Sequence, residues 1–240
     1  GSNEENWKLG DIFRATPITV GTPSAFFDDT RDTYLQTVTN TCGGPDETVN
    51  GFAAHRLTHC RTSALGTRAI VSGANDGMFH IFRTNNGSEA WAFVPPNLLP
   101  KLKNIAHSTH PTAYTHAYFV DGPVTVADLW LGSGAGTTKS AADWHTVLVF
   151  GEGRGSSPYT WSSSQYCVSD IYSATYQYYC GYWAFNLDNA LAPTFKWHLM
   201  PTASQAPYLG YPWNKFMTGK ILTRNGGSDV EKWVGFIGAG

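Results

Sequence analysis

The chain has 240 residues, with 16 Lys and Arg against 18 Asp and Glu, a formal net charge of -2; charged residues make up 14% and aromatics 14%. This balance gives no electrostatic reason for nucleic acid or anionic lipid as a partner, and no apolar run reaches the roughly 18 residues of a membrane helix. Few charges, many aromatics, 25 Gly and 13 Pro favour an all-β chain with few short helices. Gly1-Ser2 reads as a cloning remnant, so the natural N-terminus is expected upstream and the missing signal peptide carries no meaning.

In chain order, residues 16–20 (TPITV) predict a first strand, and residues 68–82 (RAIVSGANDGMFHIF) a strand, a tight turn and a strand. Asn75-Asp76-Gly77 is expected to supply the positive-φ residues of a two-stranded hairpin. A second turn over residues 85–88 leads to a strand over 89–93 carrying Trp91. Residues 95–105 (PPNLLPKLKNI) space Leu98, Leu99, Leu102 and Ile105 for one short amphipathic helix. The pattern then recurs at 122–126 (GPVTV), 145–151 (HTVLVFG), 181–187 (GYWAFNL) and 195–199 (FKWHL), with Trp197 in the place of Trp91. A third copy begins at 216–222 (FMTGKIL) and continues at 232–238 (KWVGFIG).

The offset from Pro17 to Pro123 and that from Trp91 to Trp197 are both 106 residues. Four strands per repeat, a Gly turn and a closing Trp describe a β-propeller of four-stranded antiparallel blades; a β-sandwich is the plainer alternative. The whole chain, 1–240, is expected to be a partial propeller, with blade elements at about 11–93, 117–199 and 215–240. Propellers close with about 4–8 blades, so the ring is expected to be incomplete and to need the remaining blades of a longer polypeptide, or another cover, over its exposed edges.

Two Cys-bracketed insertions, 42–60 and 152–180, interrupt the repeat. Cys42 with Cys60 and Cys167 with Cys180 flank Gly/Ser/Thr/Asn-rich stretches with little strand pattern, which suits two disulfides in an oxidising compartment; neither spacing is of zinc type. The second insertion carries Trp161, Tyr166, Tyr172, Tyr176, Tyr178 and Tyr179 among Ser, Thr and Gln. Such a loop reads either as a recognition surface, where Tyr gives contact area at low entropic cost, or as rings that cap the blade core. Tyr182 and Trp183 fall on the repeat strand and belong to the core.

Metal and catalytic motifs are weak. His107, His110 and His116 sit in a Thr/Tyr-rich segment, and His55 and His59 lie four apart beside Cys60, whose thiolate a disulfide would remove; no metal is expected at either. Gly132-Ser133-Gly134-Ala135-Gly136 is separated by two Thr from Lys139, which breaks the phosphate-loop spacing. No G-x-S-x-G elbow occurs, and Asp76 and Asp121 fall in predicted turns, so no catalytic residue is expected.

The hairpin at 72–80 (SGANDGMFH) resembles the repeats of quinoprotein-like propellers. The ordered set of 9–17 (LGDIFRATP), 72–80, 91–95 (WAFVP), 116–123 (HAYFVDGP) and 144–151 (WHTVLVFG) resembles the C-terminal propeller of PilY-type proteins of type IV pilus biogenesis. The resemblance implies a non-enzymatic, exported, pilus-associated propeller at the cell surface, acting in pilus assembly or in adhesion at the pilus tip. Its implied partners are minor pilins and host or abiotic surfaces. It also leaves a quinone-cofactor dehydrogenase-like propeller and a periplasmic assembly scaffold as alternatives. The family's Asp-rich calcium loop has no counterpart here, so no cofactor is expected in this chain and calcium is expected only beyond Gly240. The long Cys-bracketed insertion also departs from the family's short Gly-rich turn.

Overall fold

The computed structural model describes residues 9–24, 29–102, 118–156, 181–199 and 212–238. Two four-stranded antiparallel sheets dominate. The first contains β1 (Ile18–Val20), β4 (Ala69–Gly73), β5 (Phe79–Arg83) and β6 (Glu89–Phe93), in that order across the sheet. The second contains β7 (Val124–Trp130), β8 (Trp144–Gly151), β9 (Tyr182–Asn186) and β10 (Thr194–Leu199), again in sequence order. Each is the meander of a propeller blade. A hairpin of β11 (Met217–Asn225) and β12 (Ser228–Phe236) follows. The described strands do not close a ring.

Period-two alternation in the second sheet explains how the layers stack. In β8, Leu148 and Phe150 point into a core shared with Val71, Phe79 and Ile81 of the first sheet. Val147 and Val149 point the other way, into a second core completed by Phe216 and Ile237. In β9, Trp183 and Phe185 join the first core, and Tyr182 and Ala184 the second. A strand buried on both faces reads as a continuous apolar run, which is why residues 145–151 were legible.

The 106-residue repeat has a structural counterpart. Trp91 on β6 meets Phe185 of the second sheet edge-on, with centroids 5.2 Å apart. Trp197 on β10 meets Phe216, beside the third hairpin, at 5.9 Å. Each closing Trp therefore reaches the next unit.

One expectation, the positive φ of Asn75 and Asp76, needs correction. The turn after β4 joins a two-stranded hairpin, as expected, and runs over residues 74–78, closed by Ala74 N–H donating to Met78 O at 3.0 Å. Gly77 alone takes a positive φ, +96°, and no non-Gly residue among those described does. Asn75 and Asp76 instead spend their side chains on long-range bonds. A two-residue turn stands at Gly226 (φ +58°) and Gly227 (φ +87°) between β11 and β12. The short helix expected over 95–105 is present as far as the described residues reach: a 3₁₀ turn, Pro96–Leu98, runs directly into α2, Leu99–Leu102.

The insertion between β1 and β4 is more ordered than its composition suggests. It holds β2 (Gln36–Val38) paired with β3 (Glu47–Val49), then α1 (Gly51–Thr58). Asn50 caps α1 by accepting from Ala53 N–H at 3.0 Å, and Asp32 accepts from Gly51 N–H at 2.9 Å and Phe52 N–H at 2.6 Å. Three of the four orphan donors of the first turn are thus satisfied, one pair from outside the helix.

Candidate functional site

The second insertion leaves and re-enters the fold at one point, because Gly151 at the end of β8 pairs with Tyr182 at the start of β9. The same end of the first sheet carries the 74–78 turn. The interaction candidates Trp161, Tyr166, Tyr172, Tyr176, Tyr178 and Tyr179 lie outside the described residues, as do Cys167, Cys180, His107, His110 and His116. What the structure describes is the framework at the two ends of that insertion.

That framework is rigid for identifiable reasons. Glu152 is fully buried, and its carboxylate accepts from Asn97 Nδ2 at 2.7 Å and from Trp183 Nε1 at 2.8 Å. Its carbonyl accepts from Asp121 N–H at 3.1 Å and Gly155 N–H at 3.0 Å, closing the 3₁₀ turn Gly153–Ser156. A Cβ at Gly155 would stand 1.6 Å from Phe119 O, so only glycine allows this approach. Asn75 Oδ1 accepts from Phe119 N–H at 3.0 Å and Asn75 Nδ2 donates to Asp11 at 2.9 Å. Asp76 accepts from Gly10 N–H at 2.8 Å, and Asp121 from Arg14 N–H at 3.0 Å. These aspartates serve backbone geometry, as their turn positions implied.

On this frame lies a ladder of cations and rings. The Arg154 guanidinium sits 4.4 Å from the Tyr118 ring centroid, and Tyr118 lies 6.0 Å from Phe13. Arg14 sits 5.7 Å from Phe13 and 4.9 Å from Trp213. Arg14, Asp121, Pro123 and Trp213 line a cavity of about 370 Å³. Phe13 is 60% exposed although it is a large apolar ring. Arg, Tyr and Trp are the residue types that carry most binding energy at protein interfaces, and Arg over a ring is worth about 0.5–2 kcal/mol depending on exposure. Sequence reasoning missed this surface because its residues come from four separate segments. Among the described residues it is the feature best suited to recognition, and it borders the Tyr-rich insertion.

The remaining sequence candidates resolve as follows. Cys42 and Cys60 form a disulfide with Cα atoms 5.2 Å apart. Lys139 binds no phosphate loop: fully buried, it pairs with Asp29 and with Glu231 Oε1 at 2.6 Å, between the Trp130 and Trp144 rings. Burial alone would raise the Asp29 carboxyl, but hydrogen bonds from Lys139 and Lys220 outweigh it and hold the group below its ordinary value. The His55 and His59 rings lie tilted with centroids 4.3 Å apart at the C-terminal end of α1, and Asp188 approaches them.

The architecture is that of a blade-repeat all-β protein with a surface of rings and arginines at one end of the blades. Comparison with known proteins narrows the class. Over 147 residues, 61% of its length, the chain is 33% identical to the type IV pilus biogenesis factor PilY1 homolog of Xylella fastidiosa. Over 154 residues it is 32% identical to the type IV pilus biogenesis factor PilY1 of Pseudomonas aeruginosa PAO1. The chain is thus a relative of the PilY1-type factors, and it spans about a tenth of the length of each of these two proteins (10% and 11%). No protein-family model and no solved structure matches it.

Proposed function

We propose that the chain is a non-enzymatic recognition segment of a type IV pilus biogenesis factor, and that it acts outside the cytoplasm. It contacts pilus components such as minor pilins, or an adhesive surface at the pilus tip, through the blade end that carries the Tyr-rich insertion. The observation that carries this reading is the relationship to proteins named as type IV pilus biogenesis factors. The Arg14–Phe13–Tyr118–Arg154 ladder supports a binding role for this end. The Cys42–Cys60 disulfide supports an oxidising compartment.

The test replaces Arg154 and Trp213 with Ala in the full-length protein in its native organism. Surface pili, twitching and attachment are scored at matched protein level, beside a gene deletion. The deletion is expected to abolish piliation, and the double variant to reduce piliation or attachment without loss of the protein. Normal piliation, twitching and attachment in the deletion strain would overturn the pilus role. A normal double variant would overturn the role of this surface.

A further inference from the structure

His55 and His59 sit one helical turn apart, so α1 turns both rings to one side. The third group comes from far along the chain. Asp188 follows β9 and is fixed to the second sheet: its Oδ1 accepts from Thr146 N–H at 2.9 Å, and its Oδ2 faces His145 Nδ1 at 2.7 Å and Asn186 Nδ2 at 2.9 Å. One ring nitrogen of each histidine and a carboxylate oxygen of Asp188 all lie within 4.8 Å of one another.

The hydrogen bonding prepares lone pairs rather than N–H groups. His59 Nδ1 is 2.9 Å from His55 O, a contact that needs a proton on Nδ1 and leaves the lone pair on Nε2. His55 Nε2 faces Thr146 Oγ1 at 3.5 Å and Asp128 Oδ1 at 3.6 Å, so its proton belongs there. His55 Nδ1 then carries a lone pair that is fully buried and has no hydrogen-bond partner. An unpartnered buried acceptor is unfavourable, and a metal ion would satisfy it. Two carboxylates, Asp128 and Asp188, stand near these rings, against the buried Arg61 guanidinium, which donates to Thr146 Oγ1 at 2.8 Å and Leu187 O at 3.0 Å. The surroundings thus suit a cation.

We propose that His55, His59 and Asp188 bind one first-row divalent cation of the zinc class, which cross-links α1 to the second sheet. Two imidazoles and a carboxylate are a zinc donor set, with bonds of about 2.0–2.2 Å. Ligand atoms on one such ion stand about 3.3–3.5 Å apart, so binding draws the three groups inward by roughly an ångström. The bonds from His59 Nδ1 to a carbonyl and from Asp188 to His145 are the outer-shell supports that metal ligands use. Three ligands leave a position for water, and His59 and Asp188 are only half-buried, which leaves a route for the ion. The Cys42–Cys60 disulfide removes the neighbouring thiolates, so an imidazole and carboxylate set is the one that remains beside α1.

The test uses the chain stripped with chelator and then titrated with zinc chloride, followed by calorimetry and by thermal unfolding. Cobalt(II) supplies a d–d absorption readout. One equivalent of zinc is expected to bind and to raise the unfolding midpoint. His59→Gln and Asp188→Asn are expected to raise Kd by about tenfold or more and to cancel the zinc-dependent rise. His55→Gln alters a fully buried ring and disturbs the fold itself, so the half-buried His59→Gln decides, provided that its chelated form unfolds at the wild-type midpoint. Failure of the wild-type chain to take up one saturable equivalent overturns the proposal, as does unchanged affinity in His59→Gln.

Discussion

Trp91 and Phe185 meet edge-to-face with centroids 5.2 Å apart, across the boundary between the first and second sheets. Trp197 and Phe216 repeat the contact one unit later at 5.9 Å, but there Trp197 remains 36% exposed. The Trp91 ring also stacks on Phe93, which itself packs on Phe150, Trp183 and Phe185. Trp91→Ala should therefore open a cavity in a continuous aromatic layer and cost about 3 kcal/mol, whereas Trp197→Ala should cost about 1–2 kcal/mol. Urea unfolding of the two variants checks the order, and equal losses would mean that the two boundaries are equally packed.

The residues that revealed the fold are those with period-two burial. Residues 145–151 and 181–187 are apolar on both faces because each face meets another layer, and the equal spacing of Pro17 to Pro123 and Trp91 to Trp197 reports the repeated strand order directly. The helix α1 was illegible because it has only 8 residues, and Asp32, which holds its first turn, lies 19 residues from Gly51. The role of Lys139 was illegible for a related reason. Its carboxylate partners lie 110 and 92 residues away, and the glycines before it invited a different comparison. The Tyr-rich loop was visible as composition. The Arg154–Tyr118–Phe13–Arg14 surface beside it exists only after the turns have converged.

Lys139 binds three distant parts of the chain together: Asp29 before α1, its own loop between β7 and β8, and Glu231 on β12. All three side chains are essentially buried. Lys139→Met would leave Glu231 without its ammonium partner, while Lys220 still pairs with Asp29 and Arg31 lies 3.4 Å from Glu231. Breaking a buried pair from one side costs about 3–5 kcal/mol, and these residual cations put the expected loss near the lower end. Adding Glu231→Gln to Lys139→Met should recover part of it. A double variant as unstable as the single one would show that packing against Trp130 and Trp144, not charge, is what Lys139 supplies.

His80 lies on the face of the first sheet turned away from the second, with Nε2 3.0 Å from Asp76 Oδ2 and Nδ1 2.6 Å from Glu89 Oε1. Burial disfavours the imidazolium, but the hydrogen bonds and charges of Asp76 and Glu89 outweigh it and raise the group above its ordinary value of 6.5. The Asp76 carboxyl, raised by burial but lowered more by His80 and the Gly10 N–H, ends below its ordinary 3.8. The His80 contribution is therefore fully present below pH 6.5 and is lost as pH rises through the raised folded value. The Asp76 contribution is present above pH 3.8 and is lost as pH falls through its lowered folded value. His80→Gln should thus destabilise most between these limits, and its deficit should shrink towards pH 9. Paired denaturant curves at pH 5.5 and pH 9, both in chelator, provide the measurement. A deficit that is constant with pH would make the ring a packing group only.

The Cys42–Cys60 bridge closes a loop with a sequence separation of 18. Restricting the unfolded chain by a loop of that length is worth about 3 kcal/mol on the chain-entropy account. The folded loop has other restraints: Thr41 Oγ1 donates to Leu57 O at 2.8 Å and accepts from Cys60 N–H at 3.2 Å, and Thr41 N–H donates to Leu57 O at 2.9 Å. These bonds join the same two segments, so the native arrangement should survive without sulfur and the loss should come from the freed unfolded state. The double variant Cys42→Ser, Cys60→Ser is expected to keep the wild-type circular dichroism spectrum while its unfolding free energy falls by about 3 kcal/mol. Kinetics separate the causes. A loss carried mainly by slower refolding fits an unfolded chain that must now search for the loop, whereas a loss carried mainly by faster unfolding would mean that the bridge holds the α1 end in place in the native state.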